Sequence, residues 1–302
     1  MSLAVVGGSN FLGRYLIQKL APRYKDIRLA DMYPHRPAVY RLQDEIGDKL
    51  VKQPLSYPNN LKAAILGADD VLVVTHDYFK LAFDKEFFLQ RTASFAKNFG
   101  VKRLIWIAPM ELDQLNTWEG DPAKRNAECE AKAVETFPAI NILRTNLIFG
   151  HHANSLLIQH ALQLLSHNES PILYNDGKTV FEPVFEEDVF NVMDGLKPGD
   201  KVVLGGPEKL SWKDMAKVLA AHCNYNGSLN NGPLGQIKGM IAKNKFVGDL
   251  YPSQLQQFYR ILDQQAFIEP TTRQGNKKLE EVFLPGQFKG VENKAWHRVA
   301  CD

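Results

Sequence analysis

Apolar and polar positions follow two periods through the first half of the chain. Short apolar runs predict strands over 3–6, 27–30, 71–75, 103–107 and 140–144, with a weaker one over 50–52. Between them, apolar residues three and four apart predict helices over 11–20, 61–66, 85–99 and 121–137. Pro22, Gly100 and Pro138 stop three of these helices. Strands that alternate with helices over short connections predict an α/β, Rossmann-like fold: a doubly wound parallel sheet with helices on both faces.

The pattern loosens after Gly150. A helix is predicted over 154–165, then extended runs around an Asn-Asp-Gly turn within 171–183. A helix over 188–196 takes Asp188 as N-cap, and a strand follows over 201–204. A helix over 211–221 takes Ser211 as N-cap, with Asp214 three residues on as a variant capping box. From residue 222 the chain is polar and broken by Asn-Asn-Gly, Pro-Thr-Thr and Leu-Pro-Gly. The expected division is a dinucleotide-binding domain over 1–150 and a smaller, irregular C-terminal region over 151–302.

Composition narrows the function classes. The net charge of +2 over 302 residues offers no electrostatic footprint for nucleic acid. Cys129, Cys223 and Cys301 are scattered, with neither metal spacing nor a disulfide framework, which suits a reducing compartment. No apolar run approaches the length of a membrane span. The first strand begins where a signal peptide would carry its apolar region, so none is expected.

The stretch AVVGGSNFLG, residues 4–13, carries the strongest chemical signal. A strand, a glycine turn and a helix start make a phosphate cradle, in which backbone N–H groups and the helix dipole face an anion. Gly7 and Gly13 bracket Ser9, Asn10, Phe11 and Leu12 as candidate cofactor-binding residues. Asn10 stands where such turns usually have a third glycine, and asparagine tolerates the left-handed conformation expected there. A strand–helix turn that binds nothing fits the same glycines.

Asp31, at the end of the second strand, would accept hydrogen bonds from an adenosine 2′-hydroxyl and repel a 2′-phosphate, which favours NAD. Arg14, Arg28 and Arg36 point the other way, because a guanidinium fork fits a phosphate. Thr75 and Ala108 belong to the strand ends at the same sheet edge and complete the candidate set. His151 and His152 follow Gly150, but no third ligand at metal spacing accompanies them. Lys124 and Lys132 fit a solvated helix face; Glu111, Asp113 and Asp121 fit loop charges and a cap. The segment 233–251 mixes apolar residues with Lys238, Lys243 and Lys245. It suits a membrane-facing surface or an amphipathic helix packed on its own domain.

Several segments resemble the short-chain dehydrogenase/reductase superfamily in its extended or atypical branch. They are GGSNFLGRYLIQKL, RLIWIAP, KRNAECEAKAVETFPAINILRTNLIFG, PVFEEDVFNVM and KVVLGGPEKLSWKDMAKVLA. The resemblance implies a catalytic tyrosine, a lysine four residues later and a serine or threonine ending the fifth strand. These positions fall on Ala123, Ala127 and Ala108, and no tyrosine occurs between residues 108 and 137. The resemblance therefore implies a pseudoenzyme with no catalytic residue and no metal.

Within the superfamily, the chain is similar to the nucleotide-binding accessory subunits of mitochondrial respiratory complex I. Arg125-Asn126, ETFPAI, NLIFGH, the GGP turn at 205–207, FIEP and LEEVFLPGQF carry that likeness. It implies NADP(H) as a structural element and a peripheral place on the matrix side of the inner membrane. It also implies contacts with other complex I subunits, and with membrane subunits or lipid headgroups. NAD(H), or no nucleotide, stays open. So do an active NAD(P)-dependent reductase or epimerase with displaced catalytic residues, and a soluble dinucleotide sensor.

Overall fold

Strand and helix alternate in the computed structural model as the apolar periods require. It describes residues 1–31, 35, 37–55, 58–75, 85–109, 122–151, 155–171, 173–229 and 271–288. The first part runs β1 (Ser2–Val6), α1 (Phe11–Leu20), β2 (Asp26–Asp31), α2 (Pro37–Ile46) and β3 (Leu50–Pro54). It continues with α3 (Pro58–Ile65), β4 (Asp70–Val74), α4 (Lys85–Asn98), β5 (Arg103–Pro109), α5 (Pro122–Thr136) and β6 (Asn141–Thr145). Then come β7 (Ile148–Phe149), α6 (Leu156–Ser166), β8 (Val180–Phe181), β9 (Val184–Phe185) and α7 (Glu186–Asp194). The last described elements are β10 (Lys201–Gly205), β11 (Leu210–Ser211), α8 (Trp212–His222), β12 (Arg273–Gln274) and a short helix, Leu279–Val282.

Eight strands form one sheet in the order β12-β10-β6-β5-β4-β1-β2-β3. Neighbours from β10 to β3 all pair parallel. Alternate residues of each strand face opposite sides. Ala4 and Val6 of β1 join Ala30, Val71, Val73, Leu104, Trp106 and Ile142 in a core shared with α3, α4 and α5. Val5 and Leu29 face the other way, toward Ile17 of α1. Most of these side chains are fully buried, each contributing about 1.5–3 kcal/mol for the larger aliphatic ones. The order of the strands reverses at β1, between β2 and β4. In such sheets ligands bind beyond the carboxyl ends of the strands at that point.

Several boundaries differ from the sequence-based expectation. The apolar pattern does not mark helix α2: only Val39 and Leu42 of it are buried, too sparse a stripe to show a period. Helix α3 starts at Pro58, a residue whose fixed φ suits a first helical turn. Strand β5 runs on to Pro109, and β3 to Pro54. Helix α7 begins at Glu186, so Asp188 is not its N-cap. Asp188 instead shares the first turn with Glu186 and Glu187, where the helix dipole favours acids. Ser211 does cap α8: its Oγ accepts the Asp214 N–H at 3.1 Å and donates to Asp214 Oδ2 at 2.6 Å.

Two compact units emerge. The first takes Met1–Thr145, Glu186–Leu204 and the described residues of 269–273; the second takes the described residues of 146–185, 205–268 and 274–302. They interleave along the chain, because α7 and β10 return to the first unit. In the second unit β7 pairs parallel with β9, and β8 antiparallel with β11. The Asn-Asp-Gly signal forms a single 3₁₀ turn, Tyr174–Gly177, with Asp176 and Gly177 at φ 55° and 69°. The 279–288 segment folds back on α8: Phe283 and Phe288 meet the His222 ring edge-on at 5.2 and 5.6 Å. Among the described residues no helix is long and apolar enough to cross a membrane.

His160 on α6 is mostly buried, and desolvation holds its imidazole below the ordinary value of 6.5, against a smaller opposing effect from Glu169. The unfolded chain therefore binds this proton more readily than the folded one. Stability is expected to fall as the pH drops below 6.5. The loss of thermal unfolding temperature between pH 7.5 and pH 5.5 should be smaller in His160→Gln than in the wild type. An equal loss in both would show that His160 contributes nothing to the acid limb.

Candidate functional site

The turn between β1 and α1 is built by close backbone packing. Gly7 lies at φ +75°, and a Cβ there would sit 2.7 Å from the Val74 carbonyl oxygen. A Cβ on Gly8 would meet Val5 and Leu29 side chains, and one on Gly13 would lie 2.4 Å from the Gly8 Cα. Helix α1 can press its first turn against the end of β1 only because no side chain intervenes. Phe11 and Leu12 are buried in the core, so their side chains anchor the helix.

Asn10 corrects one expectation. Its backbone is extended, at φ −69° and ψ 171°, and it is the N-cap of α1. Its Oδ1 accepts the Gly13 N–H at 2.7 Å, and its Nδ2 donates to the Gly7 carbonyl at 3.1 Å. The left-handed conformation belongs to Gly7 instead. Asparagine stands here because a cap needs a side-chain acceptor, and its carboxamide folds back onto the turn.

Asp31 ends β2 beside this turn. Its Oδ2 accepts the Ser9 N–H at 2.9 Å, and both residues are buried. The Ser9 carbonyl in turn accepts Arg14 Nη1 from the first turn of α1. That turn contains no acidic residue. A helix N-terminus without acids and with a nearby guanidinium suits an anion, and a fixed carboxylate suits a ribose hydroxyl. The residue types at this turn are therefore compatible with a dinucleotide.

Other candidates are placed differently. The Thr75 hydroxyl accepts Trp106 Nε1 at 2.7 Å and donates to the Ile107 carbonyl at 3.4 Å. The hydroxyl thus links the residue after β4 to β5. Arg28 is tied to Asp26 at 3.1 Å and to the Ala64 and Leu66 carbonyls at the C-terminus of α3, which holds β2 to that helix end. Arg36, His152, Glu111, Asp113, Asp121, Cys301 and the 233–251 segment lie outside the described residues. His151 is exposed, with its ring edge-on to Phe185 at 6.4 Å. Among the described residues no group of three or more metal-ligating side chains converges.

Ala108 lies near the carboxyl end of β5, 2% exposed within the core. Ala123 and Ala127 fall within α5, their side chains outside the described set. Arg144 of β6, which pairs in register with Ala108, makes a buried ion pair with Glu130 of α5. Lys201 Nζ adds a second cation at 3.2 Å from Glu130. Neither this cluster nor Trp106 is marked by the sequence patterns. A tryptophan inside an apolar strand does signal a buried N–H in need of an acceptor.

No family model matches this chain, and no curated protein matches it in sequence. Solved structures do. A UDP-glucose 4-epimerase from Thermotoga maritima, solved with UDP-glucose, superposes at a TM-score of 0.60 with 12% identity, over 76% of this chain and 84% of its own. The Bordetella bronchiseptica enzyme WbmF, solved with NAD+ and UDP, gives 0.61 and 15%, over 77% and 80%. TunA, an NAD-dependent NDP-hexosamine 5,6-dehydratase, gives 0.55 and 18%, over 74% and 82%. The chain thus has the Rossmann-like fold of these epimerases and dehydratases, the fold that its resemblance to short-chain dehydrogenases implies.

Proposed function

We propose that this chain holds a nicotinamide dinucleotide as a fixed structural element, performs no turnover on it, and serves as an accessory subunit of mitochondrial respiratory complex I. Its place is peripheral, on the matrix side of the inner membrane near the junction of the two arms. There it contacts neighbouring subunits and membrane-subunit or lipid headgroup surface.

One observation carries the non-catalytic part. Ala108 occupies the buried end of β5 where the resemblance requires a hydroxyl, and α5 contains no tyrosine. A bound nicotinamide can donate or accept hydride, but an alanine methyl group can neither orient a substrate nor move its proton. What remains is the cradle itself. Asp31 and Ser9 hold the adenosine side, α1 holds the pyrophosphate, and the Trp106–Thr75 bond keeps the ends of β4 and β5 in place. Structures of WbmF hold NAD+ or NADH, which supports a nicotinamide dinucleotide in this fold. The complex I assignment is supported by the segments ETFPAI, NLIFGH and LEEVFLPGQF.

Native electrophoresis of detergent-solubilised mitochondria, followed by mass spectrometry of the bands, tests the assignment. The chain is expected to co-migrate with NADH dehydrogenase activity in a large membrane complex. A free species of monomer size would overturn it.

A further inference from the structure

We infer that the first unit holds an internal water molecule on the Asn141 carboxamide, between β6 and the C-terminal turn of α7; this is independent of any dinucleotide. Asn141 opens β6 and is 1% exposed, yet neither its Oδ1 nor its Nδ2 has a hydrogen-bond partner in the protein. Its neighbours in the chain, Ile140 and Ile142, are buried and apolar. So is Ile105, which lies opposite it in register on β5. A buried amide without a partner gives up its hydration and gains nothing in return, so such groups are rare and mark a bound water or ion.

The chemistry of the group selects between these. A carboxamide offers two N–H donors and two acceptor lone pairs. A cation would serve only Oδ1, and an anion only Nδ2. Water both donates and accepts, so one molecule serves both atoms, and it is small enough for a packed interior. A buried water makes about three hydrogen bonds, of which Asn141 supplies two. The C-terminal turn of α7 offers the third, because the last carbonyls of a helix lack intrahelical partners. Strand alternation puts Arg103, Ile105 and Asn141 on one face of the sheet. Arg103 Nη2 donates to the Met193 and Asp194 carbonyls at 2.7 and 3.0 Å, which fixes that turn over the same face. Thr145 belongs to this face too, and its hydroxyl is also unpaired. It stands about 13 Å along β6, four residues on, so it does not share the water.

A crystal structure of the full chain, at a resolution that shows ordered solvent, tests this. Density for a water is expected about 2.7–3.2 Å from both Asn141 Oδ1 and Nδ2. In solution, the Asn141 side-chain amide protons should show water cross-peaks of opposite sign in NOE and ROE spectra, the signature of a long-lived buried water. Asn141→Leu keeps the volume and removes both partners, and it should lose the water density. The wild-type measurements decide the matter even if that variant does not fold. A carboxamide bonded directly to protein atoms, with no water on it, overturns the inference. So does an ion in its place, and so does a water that persists unmoved in the Leu variant.

Discussion

Gly13→Ala is expected to abolish dinucleotide binding and to destabilise the first unit by about 3 kcal/mol or more, the upper range for overpacking. The new methyl carbon would lie 2.4 Å from the Gly8 Cα and 2.5 Å from the Gly8 carbonyl oxygen. Both are backbone atoms, so no side chain can swing aside. Gly8 cannot retreat either, because it is packed against Val5, Leu29 and Ile17. Relief requires α1 to back away from β1 by about an ångström, the difference between this contact and ordinary van der Waals separation. That movement shifts the N-terminus of α1, strains the Asn10 cap and separates Ser9 from Asp31. Gly67→Ala is the comparison: at φ +72° it is strained, but nothing lies within 4 Å of its Cβ. It should cost about 1 kcal/mol and leave nucleotide binding intact. Urea denaturation and calorimetric titration check both variants. A Gly13→Ala protein as stable as the wild type would mean that α1 does not depend on this close approach.

Glu130→Ala carries the second large effect, a loss of about 3–5 kcal/mol. Glu130 and Arg144 are 8% and 9% exposed, and removing the carboxylate takes an ion-pair partner from a buried guanidinium. Lys201 contributes less, since half of its side chain is exposed and water screens its charge. The pair ties α5 to β6 beside Ala108, where the resemblance would place chemistry. Replacing both partners with apolar residues, as in Glu130→Leu with Arg144→Met, should recover most of the loss, because no buried charge is then left unpaired. Chemical denaturation of the two single variants and the double variant forms the cycle that measures the coupling. Equal losses in the single and double variants would show that packing, not charge, is at stake.

The parallel sheet is legible in the chain because its central strands β1, β4 and β6 are buried on both faces. Such strands read as continuous apolar runs: AVV in β1, VLVV in β4 and LIWIA in β5. Helix α2 was not legible, since it buries only two apolar residues and propensity alone does not mark a helix of that kind. The start of α7 is hard to read for a related reason. Asp188 has the chemistry of a cap, but Glu186 and Glu187 tolerate the first turn as well as any acid does.

The candidate site divides the same way. The glycine turn, Asp31 and the three alanines are local facts, readable from residue type and spacing. The roles of Asn10, Thr75 and Arg28 are not local. Whether a carboxamide caps a helix, a hydroxyl joins two strands or a guanidinium holds a helix end depends on which atoms the fold brings within about 3 Å. Residues 22 apart in sequence meet at Asp31 and Ser9, and residues 31 apart meet at Thr75 and Trp106. The sequence by itself determined the alternation of strand and helix, the glycines of the first turn, and alanine at positions 108, 123 and 127. Only the tertiary structure decided which polar groups meet, because hydrogen bonds are satisfied between neighbours in space and not along the chain.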